Sequence, residues 1–117
     1  MNIEEIKDKL RKFANVRDWE QFHTPKNLAM AISGEVGELV EIFQWLSQED
    51  SKKENISNED LSRVKEEIAD ILLYAIRLSD KLDIDLEEAV KAKLKVNEAK
   101  YPIEVSKGNS TKYNRRK

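Results

Sequence analysis

The sequence has no cysteine, one histidine, two prolines and three glycines among its 117 residues. Without cysteine, neither a disulfide framework nor a thiolate metal site is possible. A di-iron helical bundle is also disfavoured, because it needs Glu-x-x-His pairs, and His23 lies outside the acidic pairs described below. No apolar stretch reaches the roughly 18 residues of a membrane span, and the N-terminus lacks the basic and apolar regions of a signal peptide. We therefore expect a cytoplasmic protein.

The residues that are abundant favour helices. Charged residues make up 38% of the chain, and glutamate, lysine, leucine and alanine are frequent. We predict one all-α domain over residues 1–106, with a modest core that oligomerisation would extend. Residues 107–117 contain five basic residues and no acid, which predicts a flexible basic tail. Such a tail can bind nucleic acid, but the acidic balance of the remaining chain argues against that function.

Apolar periodicity predicts four helices, over about residues 2–16, 25–47, 58–82 and 86–101. Thr24 and Pro25 supply an N-cap and a first-turn proline for the second helix. Asp85 and Glu88 have the spacing of a capping box for the fourth. Residues 48–57 are polar and without apolar periodicity, so we predict a mobile loop between the second and third helices.

Two acidic pairs, Glu35-x-x-Glu38 and Glu67-x-x-Asp70, interrupt the two most apolar helices. In a helical projection Glu35 lies within the apolar stripe and Glu38 at its edge. Burying carboxylates together is costly unless cations neutralise them. Paired hard oxygen ligands suit Mg²⁺ or Mn²⁺, so the pairs predict a divalent metal site. The alternative is that they belong to solvated helix faces, which are common in so charged a chain.

Two further sets of side chains are candidates for ligand contacts. Lys93, Asn97 and Lys100 share one surface of the fourth helix. Cations beside an acidic metal site suit phosphates bridged to metals, although both lysines could simply be solvated. The rings of Trp19, Trp45 and Tyr74 are candidates for stacking on a nucleobase, and the alternative is packing in the core or a dimer interface.

Together the segments resemble the all-α nucleoside triphosphate pyrophosphohydrolases of the MazG-like superfamily, and within it the dCTP pyrophosphatase group. In chain order the resemblance is carried by RDWEQFH at 17–23, GEVGEL at 34–39 with FQW at 43–45, EEIADILLY at 66–74 and KLKVNEAKYP at 93–102. Lys112 and Tyr113 are similar to the family's tail motif.

The resemblance implies a function for each of these residues. Mg²⁺ would be bound by Glu35, Glu38, Glu67 and Asp70. The nucleoside pocket would be formed by Trp19, Trp45 and Tyr74. Phosphate or sugar would be held by Lys93, Asn97 and Lys100. It also implies a four-helix core completed by a second subunit, in a homodimer or homotetramer.

The implied reaction hydrolyses a nucleoside triphosphate to its monophosphate and pyrophosphate. We expect Glu38 to orient or deprotonate the attacking water. dCTP-like substrates are favoured, although Leu10 stands where a dCTP pyrophosphatase can place a substrate-contacting histidine. The alternatives are a housecleaning enzyme for broad or non-canonical nucleotides, and a non-catalytic helical interaction module.

Overall fold

Helices form all the regular secondary structure of residues 1–108, the part of the chain that the computed structural model describes. The elements are α1 (Ile3–Val16), a 3-10 turn (Glu20–Phe22), α2 (Pro25–Phe43), α3 (Asn58–Lys81), α4 (Leu86–Lys100) and α5 (Ile103–Ser106). The predicted all-α class and its four long helices are therefore confirmed. The end of the basic tail, including Lys112 and Tyr113, lies outside the described residues.

Each of the four long helices begins at a polar side chain that caps a backbone amide. Asn2 accepts from Glu5 N, Thr24 from Asn27 N, Ser57 from Asp60 N and Asp85 from Glu88 N, at 3.0 to 3.3 Å. These bonds satisfy amides that have no partner within the helix. They explain why the helix starts were predictable from sequence.

The segment after α2 differs from expectation, because α2 ends at Phe43 and not near residue 47. The amide of Leu46 bonds to Phe43 O, which closes a tight turn, and Ser47 Oγ then accepts from Asp50 N. Residues 47–56 continue as hydrogen-bonded turns, in which Asn55 Nδ2 donates to Glu49 O. The segment predicted as an unpatterned loop is thus held by local side-chain bonds.

Within residues 1–84, α3 packs against both α2 and α1. The apolar side chains buried there are Ala14 from α1, Leu28 and Ile42 from α2, and Ile76 from α3. The core is small, and α3 holds the first two helices in place. Residues 85–108, with α4 and α5, belong to a second compact unit. None of the described helices combines the length and apolarity needed to cross a membrane.

Candidate metal centre

Three carboxylates meet where α2 packs on α3. Glu35 and Glu38 lie one turn apart on α2 and share a face, and Glu67 approaches from α3. One carboxylate oxygen of each residue lies within 4.8 Å of the chosen oxygens of the other two. The metal cluster, as we call these three residues, thus unites one complete acidic pair with half of the other.

The metal cluster contains two buried oxygen atoms that no protein group satisfies. Oε2 of Glu35 and Oε2 of Glu67 are buried and have no hydrogen-bond partner, whereas Glu38 is exposed. Buried polar atoms without a partner are rare and costly. A hard divalent cation is a suitable partner for such atoms, since these cations take carboxylate oxygens as ligands. The residues therefore fit a hard divalent cation, with Glu38 as the exposed member of the cluster.

The electrostatics of Glu67 show how closely the carboxylates approach. The Glu35 carboxyl beside it raises the pKa of Glu67, and partial burial raises it further, while Glu38 acts in the opposite direction. The charge of Asp70 also contributes to the raised pKa. Asp70 is half-buried one turn along α3 but lies outside the group of three. Of the four predicted ligands, the structure brings three together and places the fourth within electrostatic reach.

The three candidate stacking rings lie on different elements. Trp45 stands in the turn after α2 and is 88% exposed, so its ring does not pack in the core of this chain. Trp19 precedes the 3-10 turn and is 43% exposed. Tyr74 is half-buried on α3, one turn after Asp70. No ring contact joins any two of the three in residues 1–108.

The three candidate phosphate ligands belong to the second unit. Lys93 and Asn97 are exposed on α4, and Lys100 is half-buried at its last residue. Their spacing places them on one side of the helix.

An ionic network around a buried arginine was not predicted from the sequence. The side chain of Arg77 on α3 is only 4% exposed. Its Nε donates to His23 Nδ1 at 3.1 Å, and its Nη2 donates to Glu20 Oε1 at 2.6 Å. Asp80 accepts from Arg11 Nε at 2.7 Å, which links α3 to α1. The sole signal was an arginine inside an apolar helix, and two of its partners, Glu20 and His23, lie more than fifty residues away in sequence.

Comparisons with known proteins agree with this architecture. The family model of the MazG-like family matches residues 30–115. A pyrophosphatase of known structure from Archaeoglobus fulgidus superposes with a TM-score of 0.77 and 49% sequence identity, covering 85% of this chain and 91% of that one.

Curated relatives are similar over nearly the whole chain. The dCTP pyrophosphatase 1 of Bos taurus is 41% identical over 95% of this chain, and that of Homo sapiens is 39% identical over the same share. The chain spans 66% of the bovine protein and 65% of the human one. The match of most of the sequence to the family model, together with the archaeal structure, shows that the chain belongs to the MazG-like family.

Proposed function

We propose that the chain is a Mg²⁺-dependent nucleoside triphosphate pyrophosphohydrolase, which converts a (deoxy)nucleoside triphosphate and water to the monophosphate and pyrophosphate, with dCTP-like substrates favoured. The observation that carries the proposal is the metal cluster with its two buried, unsatisfied oxygens. The relatives named dCTP pyrophosphatase and pyrophosphatase support the reaction class.

The exposure of each carboxylate indicates the role that we propose for it. Glu35 and Glu67, whose buried oxygens have no other partner, would hold the cation, and Asp70 adds negative charge beside them. A bound Mg²⁺ would neutralise phosphate charge and lower the pKa of a coordinated water. Glu38 is the exposed member of the cluster, so its carboxylate can reach a water on the open side and accept its proton.

The remaining predicted residues would bind the substrate. Stacking on Trp19, Trp45 and Tyr74 accepts any base, so preference for one base requires polar contacts or steric limits. Lys93, Asn97 and Lys100 carry the donors that phosphate and sugar oxygens need.

We further propose that a second copy of the chain completes the enzyme, as a homodimer or homotetramer. Large apolar side chains are exposed on both central helices of the first unit, among them Met30 and Val40 on α2 and Leu61 and Ile68 on α3. Extensive exposed apolar surface is typical of an association face.

A broader substrate range is the second candidate. Leu10, which lies half-buried on α1, offers no hydrogen bond to a base or sugar. A pocket without that polar contact discriminates less between nucleotides.

The test is a pyrophosphate-release assay with Mg²⁺ over dCTP, dUTP, dTTP, dATP and CTP. We expect dCTP to have the highest kcat/KM, followed by the other pyrimidine deoxynucleotides. A purine or a ribonucleotide at the head of the ranking would replace the dCTP preference with the broader candidate. Absence of metal-dependent turnover on all five would support the non-catalytic helical module instead.

Metal binding needs a readout of its own. Calorimetric titration with Mg²⁺, and with Mn²⁺ as a spectroscopic substitute, should show binding that Glu67→Gln weakens. Glu41→Gln is the matched control, because Glu41 is exposed on α2 and lies outside the metal cluster. Equal affinity in both variants would remove the metal-site assignment.

A further inference from the structure

Arg77 ties the 3-10 turn to α3 through two different acceptors. Its Nε donates to His23 Nδ1 at 3.1 Å and its Nη2 to Glu20 Oε1 at 2.6 Å. Lys81, one turn further along α3, donates to the other oxygen of Glu20. Two cations of α3 thus hold both ends of the turn.

Trp19 lies at the start of that turn, between two rings. Its indole meets Phe13 of α1 edge to face with centroids 5.6 Å apart, and meets His23 in the same manner at 6.3 Å. Its amide donates to Ala14 O at 2.8 Å, and its carbonyl accepts from His23 N at 3.2 Å. The backbone of Trp19 is therefore anchored to α1, while the contact on one side of its ring depends on the position of His23.

The orientation of His23 is fixed by its acceptor atom. A guanidinium has donors only, so Nδ1 must be unprotonated and must point at Arg77 Nε. This requirement sets the rotation of the imidazole, which carries its proton on Nε2. Because the His23 ring borders the indole, Arg77 indirectly limits the rotation of the Trp19 ring.

We propose that Arg77 is a positioning residue, which through His23 holds the Trp19 ring ready to stack on a nucleobase. The inference rests on the proposed function only in assigning the stacking role to Trp19. The part of Trp19 that remains exposed, 43% of the residue, is the surface on which a base can lie. A ring fixed before binding loses less rotational freedom when the base arrives, which favours affinity.

The rival explanation is that Arg77 contributes only to stability. Removing a buried charge that pairs with Glu20 and contacts Asp80 leaves each of those carboxylates with one cationic partner fewer. An Arg77 variant that failed to fold would thus not separate the two explanations. His23 offers a cleaner test, since it is half-buried and contributes one acceptor atom.

The test compares His23→Asn with His23→Leu. The Oδ1 atom of asparagine can take the place of Nδ1 as acceptor for Arg77, whereas leucine is of similar size but has no acceptor. Both are made in a Trp45→Phe parent, which keeps a ring at that position and leaves Trp19 as the sole tryptophan. The measurements are Trp19 emission and its quenching by acrylamide, the Kd for dCTP and for pyrophosphate, and kcat and KM.

We expect His23→Leu to shift Trp19 emission, increase its quenching and raise both the Kd and the KM for dCTP. The Kd for pyrophosphate and kcat should stay at the parent's values, because neither depends on base stacking. Trp19→Ala sets the upper limit of the effect, an increase on the order of 5- to 150-fold in the Kd for dCTP. His23→Asn should retain most of the dCTP affinity that His23→Leu loses.

Four results would overturn the inference. The positioning role alone fails if Trp19→Ala weakens dCTP binding but His23→Leu leaves that binding and Trp19 emission unchanged. It also fails if the asparagine and leucine variants lose the same amount of dCTP affinity. A third contradicting result is that His23→Leu lowers kcat and weakens the binding of dCTP and pyrophosphate alike, as general structural damage would. If Trp19→Ala leaves dCTP binding unchanged, the stacking role assigned to Trp19 fails as well, while turnover would still support the reaction.

Discussion

Glu38 differs from its two neighbours in the metal cluster because its carboxylate is exposed. Glu38→Gln keeps the size of the side chain and removes its charge, so we expect the helical circular dichroism to stay intact. If Glu38 activates the water, kcat should fall on the order of 10² to 10⁴-fold. Glu41→Gln, which changes an exposed acid one turn away, should leave kcat unchanged. Equal turnover in the two variants would remove Glu38 from the mechanism.

Glu67 makes the stability of the metal-free protein depend on pH. Because its pKa is raised in the folded chain above its usual value of 4.5, folding favours the protonated form, and this contribution is lost as pH rises through the folded pKa. Without metal, Glu67→Gln should therefore have a higher Tm than the wild type at neutral pH. The difference should vanish below pH 4.5.

Thermal melts at pH 4 and pH 7, with and without Mg²⁺, measure this effect. Saturating Mg²⁺ should stabilise the wild type more than Glu67→Gln, since only an intact cluster binds the ion fully. A Tm difference that does not change with pH would contradict the electrostatic account of Glu67.

At the level of single residues, the sequence predicted the acids that the structure brings together, but it did not predict the network around Arg77. Glu35, Glu38 and Glu67 could be predicted because three-residue spacing and an apolar setting are local signals. The contact of Arg77 with Glu20 and His23 could not, because it depends on how α3 packs beside the 3-10 turn.

The ends of α2 show, for a whole element, the same difference between features that the sequence predicts and features that it does not. Helix starts were predictable because the capping side chain and the amide it accepts from are three residues apart. No glycine or proline marks the end at Phe43, where the tight turn at Leu46 and the Ser47 side chain redirect the chain. The early end matters because it moves Trp45 from a helix to an exposed turn.

That placement makes Trp45 a suitable test of the proposed nucleoside pocket. Trp45→Ala should weaken dCTP binding by roughly 1 to 3 kcal/mol, the range for a base stacked on an aromatic ring. Pyrophosphate binding and the Tm of the protein should hardly change, since the ring is 88% exposed. Calorimetry with both ligands provides the measurement. Equal weakening of both would indicate that Trp45 does not contact the base.

For the whole molecule, the exposed apolar side chains predict association. The stripe formed by Val36 and Val40 on α2 is open in the single chain, and a second copy would cover such a surface. We expect sedimentation equilibrium to give the mass of two or four chains. Val40→Asp should shift the measured mass toward that of a single chain. Lys26→Glu, an exposed polar position on the same helix, is the control. A wild type that sediments as a monomer would refute the assembly.

The central claim, cleavage between the α and β phosphates, is tested most directly by hydrolysing dCTP with Mg²⁺ in water enriched in oxygen-18. Attack on the α-phosphorus transfers the new oxygen to the nucleotide. Mass spectrometry should therefore find the label in dCMP and none in pyrophosphate, and Glu38→Gln should form neither product at an appreciable rate. Label in the pyrophosphate, or no Mg²⁺-dependent cleavage by the wild type, would contradict the account.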